Sequence, residues 1–142
     1  MSQPVVQLTY ISSRHPSMER SEVERILVSA RLHNRRNGLT GLLLFNGHRF
    51  LQHIEGPADA VDETLERIRA DTRHRAIVLL GRTEAEFRAF SSWSMAFEMF
   101  DGRAPERHAP LVEQVREVVA GVDPRIGNHF LGYARLTSTR AA

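Results

Sequence analysis

Three polar residues fall at positions that the surrounding sequence pattern assigns to a buried interior. Tyr10 shares a face with apolar residues in VVQLTYIS, Gln52 does so in FLQHIEG, and Asn34 lies four residues beyond Ala30 on an apolar helical stripe. A buried polar group without a partner costs roughly 1–3 kcal/mol, so each side chain needs hydrogen-bond partners. Backbone or water could satisfy any one of them, whereas together they indicate a shared polar site.

The three side chains suit one kind of ligand. They offer a phenol, two amide donors and two amide acceptors, and Ile26 and Ile68 can form apolar walls. A planar heteroaromatic ligand with carbonyls and ring nitrogens would match both the walls and the polar rim. We therefore expect an apolar slot between two helices, with the polar groups at its edge.

Asp71 is a further candidate, because a carboxylate near a helix C-terminus is unfavourable with the helix dipole. One interpretation is a local ion pair with Arg73. The other is that Asp71 accepts a hydroxyl group from a ligand chain while Arg73 or His74 approaches its phosphates. The sequence leaves both interpretations open.

The elements that position these residues follow the order β-α-β-β-α-β-β. The strand VVQLTYIS precedes a helix that Ser21 and Glu24 should open as a capping box and that Gly38 should end. The strands LTGLLLF and HRFLQHIEG are joined by a hairpin turn at Asn46-Gly47. This order contains the split βαβ arrangement, so the sequence predicts the α+β class, with a ferredoxin-like mixed sheet and two helices on one face.

Two more strands and a helical tail complete the chain. After a second amphipathic helix, AIVLLG is predicted to be a mostly buried strand, and in SSWSMAFEMF the residues Trp93, Met95 and Phe97 share a face. We place a boundary near residue 100, with a binding domain at 1–100 and a helical extension at 101–142. The extension has two apolar stripes, which either pack on the open sheet face or contact another subunit: Leu111, Val115 and Val118, then Ile126, Phe130 and Tyr133.

Composition excludes several classes of protein. The absence of cysteine rules out disulfides, thiolate metal sites and a cysteine nucleophile, and it fits a cytoplasmic protein. No apolar run approaches the ~20 residues that span a bilayer, so we expect no membrane association. The net charge of +2 is too small to indicate nucleic-acid binding by itself.

Five motifs together resemble the BLUF domain, a blue-light sensor that uses FAD. They are TYIS, HNRRNGLTGLLL, FLQHIEG, RADTRH and FSSWSM, and they occur in this order between about residues 5 and 97. No single motif is specific, but their order and spacing are. Short stand-alone members of the family carry two helices after this region, as the present sequence is expected to do.

The resemblance implies a role for each polar or apolar residue of the slot. Tyr10 matches the tyrosine that donates an electron and then a proton to photoexcited flavin. Gln52 matches the glutamine that bridges this tyrosine to flavin N5 and the C4 carbonyl, and Asn34 matches the asparagine that holds the polar edge of the ring. Ile26 and Ile68 match the residues that sandwich the ring.

The remaining matches lie around the rest of the cofactor. Trp93 and Met95 match the Trp-x-Met pair of the last strand, whose position relative to the flavin is disputed. Ser12 keeps the Tyr-x-Ser of the family, or it is simply a strand-end hydroxyl, and His33 stands at a position that the family varies. Near the ribityl chain and the phosphates, the resemblance implies Arg67, Asp71, Arg73 and His74.

The implied function is that of a photoreceptor rather than an enzyme. FAD would bind non-covalently, with FMN or riboflavin as possible substitutes, and Gln52 would rearrange by rotation or tautomerisation after light-driven transfer from Tyr10. The signal would pass through the sheet to an unidentified protein partner, and self-association into a homo-oligomer is expected.

Two rival functions use the same fold. An acylphosphatase-like hydrolase would need an arginine-lined anion loop, for which Arg14 or Arg35 could be recruited. An RNA-binding module would need aromatic residues on an exposed sheet face, and the strands lack the required aromatic-glycine motif. The sequence therefore favours the photoreceptor, without direct nucleic-acid binding.

Overall fold

The computed structural model describes residues 4–90, 96–99 and 111–140. The chain follows the predicted order β-α-β-β-α-β-β and then continues as two helices. The elements are β1 (Val5–Arg14), α1 (Arg20–Arg36), β2 (Thr40–Phe45), β3 (Arg49–Gly56), α2 (Ala58–Ala70), β4 (His74–Ala85), β5 (Ala96–Met99), α3 (Leu111–Val118) and α4 (Pro124–Arg140).

The strands form one mixed sheet in the order β4-β1-β3-β2-β5. Neighbouring strands are antiparallel, except that β5 runs parallel to β2. The hairpin strand β3 lies between β1 and β2, and β1 lies between β3 and β4, which is the split βαβ arrangement. The predicted ferredoxin-like α+β fold is confirmed.

The register of the sheet places the predicted polar residues side by side. Tyr10 of β1 lies opposite Gln52 of β3, and Gln52 lies opposite Leu43 of β2. Because opposed residues of neighbouring strands point to the same face, these three side chains form one row beneath α1 and α2.

Both faces of the sheet are covered by helices. On one face, α1 and α2 enclose a core with the strand residues Leu8, Phe50 and Ile54. On the other, α3 and α4 pack on Leu42, Leu44 and Leu51. Of the two alternatives for the apolar stripes of the tail, the structure has the one in which they pack on the sheet. The stripe residues in this second core are Val115, Val118, Ile126, Phe130 and Tyr133.

The predicted start of the first helix is wrong. Helix α1 begins at Arg20, and its N-cap is Glu19, whose side chain makes no capping hydrogen bond. Ser21 therefore lies inside the first turn, where it cannot act as the N-cap of a capping box with Glu24. The Ser-x-x-Glu spacing is present, but Ser21 lies two residues after the N-cap.

The prediction of a mostly buried strand at AIVLLG is also wrong. β4 is an edge strand, and no strand pairs with its outer side in the described ranges. Val78 is consequently 53% exposed and Leu79 39% exposed. The apolar run indicated burial, but the position at the edge of the sheet determines exposure, and sequence composition does not encode that position.

The last predicted strand is seen in part. β5 pairs Phe97 with Leu43 of β2, whereas Trp93 and Met95 lie outside the described residues. In the described part of the chain, no helix is both long and apolar enough to cross a membrane.

We predict that the packing of α4 contributes strongly to stability. Phe130 is fully buried, so Phe130→Ala should lower the free energy of unfolding by about 3–5 kcal/mol through lost burial and a cavity. Leu136 lies on the same helix and is 69% exposed, so Leu136→Ala should change it by less than about 0.5 kcal/mol. Urea unfolding of both variants measures the difference, and equal values would contradict this packing.

Candidate functional site

A pocket lies between α1, α2 and the sheet, and all the predicted cofactor-binding residues line it. The structure thus brings together residues from β1, α1, β3, α2, the segment after α2 and the start of β4. These residues are Tyr10, Ile26, Asn34, Gln52, Arg67, Ile68, Asp71, Arg73 and His74.

The innermost part of the pocket is the pair of Tyr10 and Gln52. Both are buried, with 1% and 4% of their surface exposed, and the Tyr10 hydroxyl donates a hydrogen bond to Gln52 Oε1. Burial raises the pKa of Tyr10 well above its usual range, and the negative charge of Asp71 raises it further. The phenol therefore stays protonated at physiological pH and donates the hydrogen bond, and the glutamine carbonyl accepts it.

Helix α1 supplies an apolar wall and a polar edge from one face. Ile26, Ala30 and Asn34 are spaced four residues apart, so they lie in one row along the helix. Asn34 is buried at 1% exposure, as its place on the apolar stripe predicted. Ile68 of α2, partly buried, also lines the pocket, so aliphatic side chains come from both helices.

Asp71 is paired with Arg73, as the first of the two interpretations stated. Asp71 Oδ2 accepts a hydrogen bond from Arg73 Nη2 at 2.8 Å, and Oδ1 accepts from Arg73 Nε at 2.9 Å and from the Arg73 backbone N–H at 3.0 Å. These hydrogen bonds and the arginine charge hold the pKa of the carboxyl below its usual range, although partial burial opposes the shift. Asp71 has an extended backbone at the C-cap, so the local pair stabilises its position beyond the last helical turn.

His74 lies deeper than Arg73 and contacts the sheet. Its Nδ1 is 3.2 Å from Ser12 Oγ, and its ring packs on Phe50 with the centroids 4.8 Å apart. Burial lowers the pKa of His74, so the imidazole is largely neutral near pH 7. It can offer a hydrogen bond to a ligand, but not a full positive charge.

A hydrogen-bonded chain joins α2 to α1 beside the pocket. The Thr64 hydroxyl donates to the carbonyl of Ala60 at 2.7 Å, so it accepts from His33 Nε2 at 2.8 Å. His33 Nδ1 is then the acceptor for Arg67 Nη1, and Arg67 Nη2 also donates to Ser29 Oγ at 3.3 Å. Partial burial and the charge of Arg67 lower the pKa of His33, which keeps this neutral tautomer populated.

Sequence reasoning missed several residues of the pocket wall. Leu43 lies opposite Gln52, and Phe50 lies two residues before it, so strand alternation contained a signal for both. Thr64 precedes Ile68 by one helical turn, and the same spacing would have indicated it. The missed residues are Ser29, Ala30, Leu43, Phe50 and Thr64, with His33 given little weight.

Comparison with known proteins decides the family. A family model described as BLUF, sensors of blue-light using FAD, matches residues 5–96, which is more than half of the chain. The chain belongs to the BLUF family. The resemblance predicted from the five motifs is confirmed, and with it membership of a family of flavin-binding blue-light sensors.

Several BLUF proteins are similar to this chain. Photoactivated adenylate cyclase subunit beta of Euglena gracilis is 35% identical over 89 residues, which are 62% of this chain and 10% of that protein. The blue light- and temperature-regulated antirepressor BluF of Escherichia coli K12 is 38% identical over 86 residues, 61% of this chain and 21% of that protein. The chain thus covers a small part of these relatives.

A solved structure covers nearly all of the chain. BlrB, a BLUF protein in its dark state, is 30% identical with a TM-score of 0.66, and the match covers 99% of this chain and 98% of that chain. Helices α3 and α4 lie within this covered length, so the likeness extends beyond the part matched by the family model.

The geometry gives little support to the rival functions. An RNA-binding module needs an open sheet face, whereas α1 and α2 cover one face of this sheet and α3 and α4 the other. Arg14, a candidate for an anion loop, donates to the backbone carbonyl of Met18 at 3.0 Å. Arg35 is exposed on α1, on the side away from the pocket lining.

The burial of the two phenols leads to a prediction about alkaline pH. The chain contains two tyrosines, Tyr10 and Tyr133, and burial raises the pKa of both above the usual value of about 10. The neutral phenols therefore favour the folded state fully below about pH 10, and this contribution is lost as the pH rises further. Ultraviolet absorbance should show no tyrosinate before unfolding, and tyrosinate in the folded protein near pH 10 would contradict the burial.

Proposed function

We propose that the protein is a blue-light photoreceptor that binds FAD non-covalently between α1 and α2. The observation that carries this proposal is the buried hydrogen bond from Tyr10 to Gln52 at the base of the pocket. It joins a redox-capable phenol to an amide that has both a donor end and an acceptor end.

The residues of the pocket fit a flavin in their chemistry. Ile26 and Ile68 offer aliphatic surfaces to a flat ring, while Asn34 and Gln52 offer amide groups to its carbonyls and nitrogens. The volume of this partly open pocket is about 70 Å³, below the ~300–1,000 Å³ typical of small-molecule pockets, so we expect side chains across the slot to move when a ligand binds. Arg67 is the first candidate, because it reaches from α2 to His33 and Ser29 on α1.

A bound flavin supplies the absorption of blue light and, when excited, an acceptor for one electron and one proton. Tyr10 is the residue that releases them, since its phenol stays protonated in the dark and is held in place by Gln52. When the Tyr10 proton leaves, the carbonyl of Gln52 loses its donor, and rotation or tautomerisation of the amide then changes which end faces Tyr10. Tyr10 would then regain its electron and proton, while the new orientation of Gln52 would persist as the signal.

The output of the protein is proposed to be binding rather than catalysis. Two relatives carry effector functions in their names, a cyclase and an antirepressor, and this chain matches a small part of each. We propose that a cytoplasmic protein partner or a second copy of the chain receives the signal.

The photochemical roles of Tyr10 and Gln52 can be tested by substitution. Tyr10→Phe and Gln52→Leu should each retain bound flavin, because Ile26, Asn34 and Ile68 are unchanged. Both should lose the small reversible red shift of flavin absorption after blue light, because the donor or the switchable amide is gone. Absorption spectra before and after illumination measure this loss.

Matched controls exist within the chain. Tyr133 is the other tyrosine, buried on the opposite side of the sheet, and Gln7 lies on β1 outside the pocket. Tyr133→Phe and Gln7→Leu should keep the red shift. A red shift in Tyr10→Phe and Gln52→Leu would overturn the mechanism, and a colourless protein that FAD cannot reconstitute would overturn the function.

A second prediction concerns which flavin binds. If Arg67 turns from His33 to a phosphate, it contributes a charge-assisted hydrogen bond worth about 1.5–3 kcal/mol. Arg67→Ala should then weaken FAD binding by about tenfold or more while changing riboflavin binding little, since riboflavin has no phosphate. Arg69→Ala is the control, because Arg69 lies on the same helix, is exposed and pairs with Glu66. Equal losses for both flavins would contradict this role of Arg67.

A further inference from the structure

Two neighbouring residue pairs of the β1–β3 ladder carry hydrogen-bonded side chains on opposite faces. Tyr10 and Gln52 form one pair on the flavin side. Thr9 and His53 form the next, and Thr9 Oγ1 lies 2.8 Å from His53 Nδ1 on the side of α3 and α4. Both members of the second pair are buried, and the proposed photochemistry does not use them.

The strand pairing that contains both residue pairs, β1 with β3, is more regular than the pairing of β1 with β4. Its register is unbroken from Val6 opposite Gly56 to Ser13 opposite Arg49. The ladder between β1 and β4, in contrast, is irregular between Thr9 and Tyr10 and again further along β1. A displacement at Tyr10 is therefore transmitted more directly to β3 than to β4.

Aromatic contacts connect His53 in the sheet to the C-terminal helix α4. The His53 ring contacts Phe90 edge-on at a centroid distance of 5.3 Å, and Phe90 contacts Phe130 of α4 at 6.4 Å. A cavity of about 190 Å³ lies between the sheet and the start of α4, and Thr9, His53 and His129 line it. The fully buried His53 side chain thus borders this cavity.

Glu55 holds Phe90 in its contact with His53. Its two carboxylate oxygens accept the backbone N–H groups of Ala89 at 2.7 Å and of Phe90 at 2.8 Å. His53 Nε2 lies 3.4 Å from Glu55 Oε1. Burial raises the pKa of Glu55, but contacts with His53 and the two N–H groups outweigh it, so the carboxyl remains ionised. The hydrogen bond from the Phe90 backbone N–H to Glu55 therefore holds the Phe90 ring against His53.

We propose that Thr9 and His53 are positioning residues that carry the change at Tyr10 and Gln52 through the sheet to Phe90 and α4. The proposal rests on the proposed photoreceptor function. Reorientation of Gln52 shifts the β1–β3 pairing locally, and the hydrogen bond between Thr9 and His53 makes the ring follow. The contact of His53 with Phe90 then passes the displacement to Phe130, where α4 packs on the sheet.

The test compares two substitutions of Thr9 in the full chain with bound flavin. Thr9→Val keeps the shape of the side chain but removes the hydroxyl, whereas Thr9→Ser keeps the hydroxyl. Both should retain the red shift, because Thr9 lies outside the flavin pocket. Amide hydrogen exchange should show a light-minus-dark difference at Phe90 and across residues 126–134 in the unaltered protein and in Thr9→Ser, and its loss in Thr9→Val.

Several results would overturn the inference while leaving the photoreceptor in place. One is a red shift in the unaltered protein without any light-minus-dark exchange difference in α4. Another is an exchange difference in Thr9→Val as large as in the unaltered protein. A third is a loss of the exchange difference in Thr9→Ser equal to that in Thr9→Val. If Thr9→Val does not fold, the His53 ring signals in the NMR spectrum of the unaltered protein must shift with light, and unshifted signals overturn the inference. An unaltered protein with flavin but no red shift would overturn the proposed function as well.

Discussion

The register of β1 against β3 is the constraint on which the rest of the site depends. It puts Tyr10 opposite Gln52, and a slip of one residue would turn Gln52 to the other face of the sheet. The hairpin turn fixes the register of β3 against β2, its other neighbour in the sheet. Asn46 Oδ1 accepts the backbone N–H groups of His48 and Arg49, and Gly47 adopts the positive φ of 96° that the turn requires.

Coverage of both sheet faces gives the polar side chains their importance. With water excluded from both sides of β3, a donor or acceptor there must be paired within the protein or with a ligand. Gln52 has such a partner in Tyr10 on one face, and on the other His53 Nδ1 has one in Thr9. His53 Nε2 makes no hydrogen bond within the described residues and lies 3.4 Å from Glu55 Oε1. A change of hydrogen-bond partner on either face therefore changes the free energy of the folded protein. On an exposed strand, water would replace the lost partner and the change would be small.

Short-range patterns made much of the site predictable. Strand alternation and helical spacing placed Tyr10, Asn34 and Gln52 in the interior, and the order of elements predicted the fold. The patterns could not predict that β4 would be an edge strand, because strand order depends on tertiary pairing. The burial of His53 and Glu55 could not be predicted either. Strand alternation places both on the face of the sheet away from Gln52, and whether that face contacts water depends on α3 and α4.

The proposed mechanism requires that the Tyr10 hydrogen bond to Gln52 be present in the dark and change with light. Its phenolic proton is buried, so it should exchange slowly enough to give a separate downfield NMR signal, which is assigned by its absence in Tyr10→Phe. We expect this signal to move on illumination and to return in the dark together with the flavin absorption. A signal that stays in place while the flavin absorption shifts would contradict the claim.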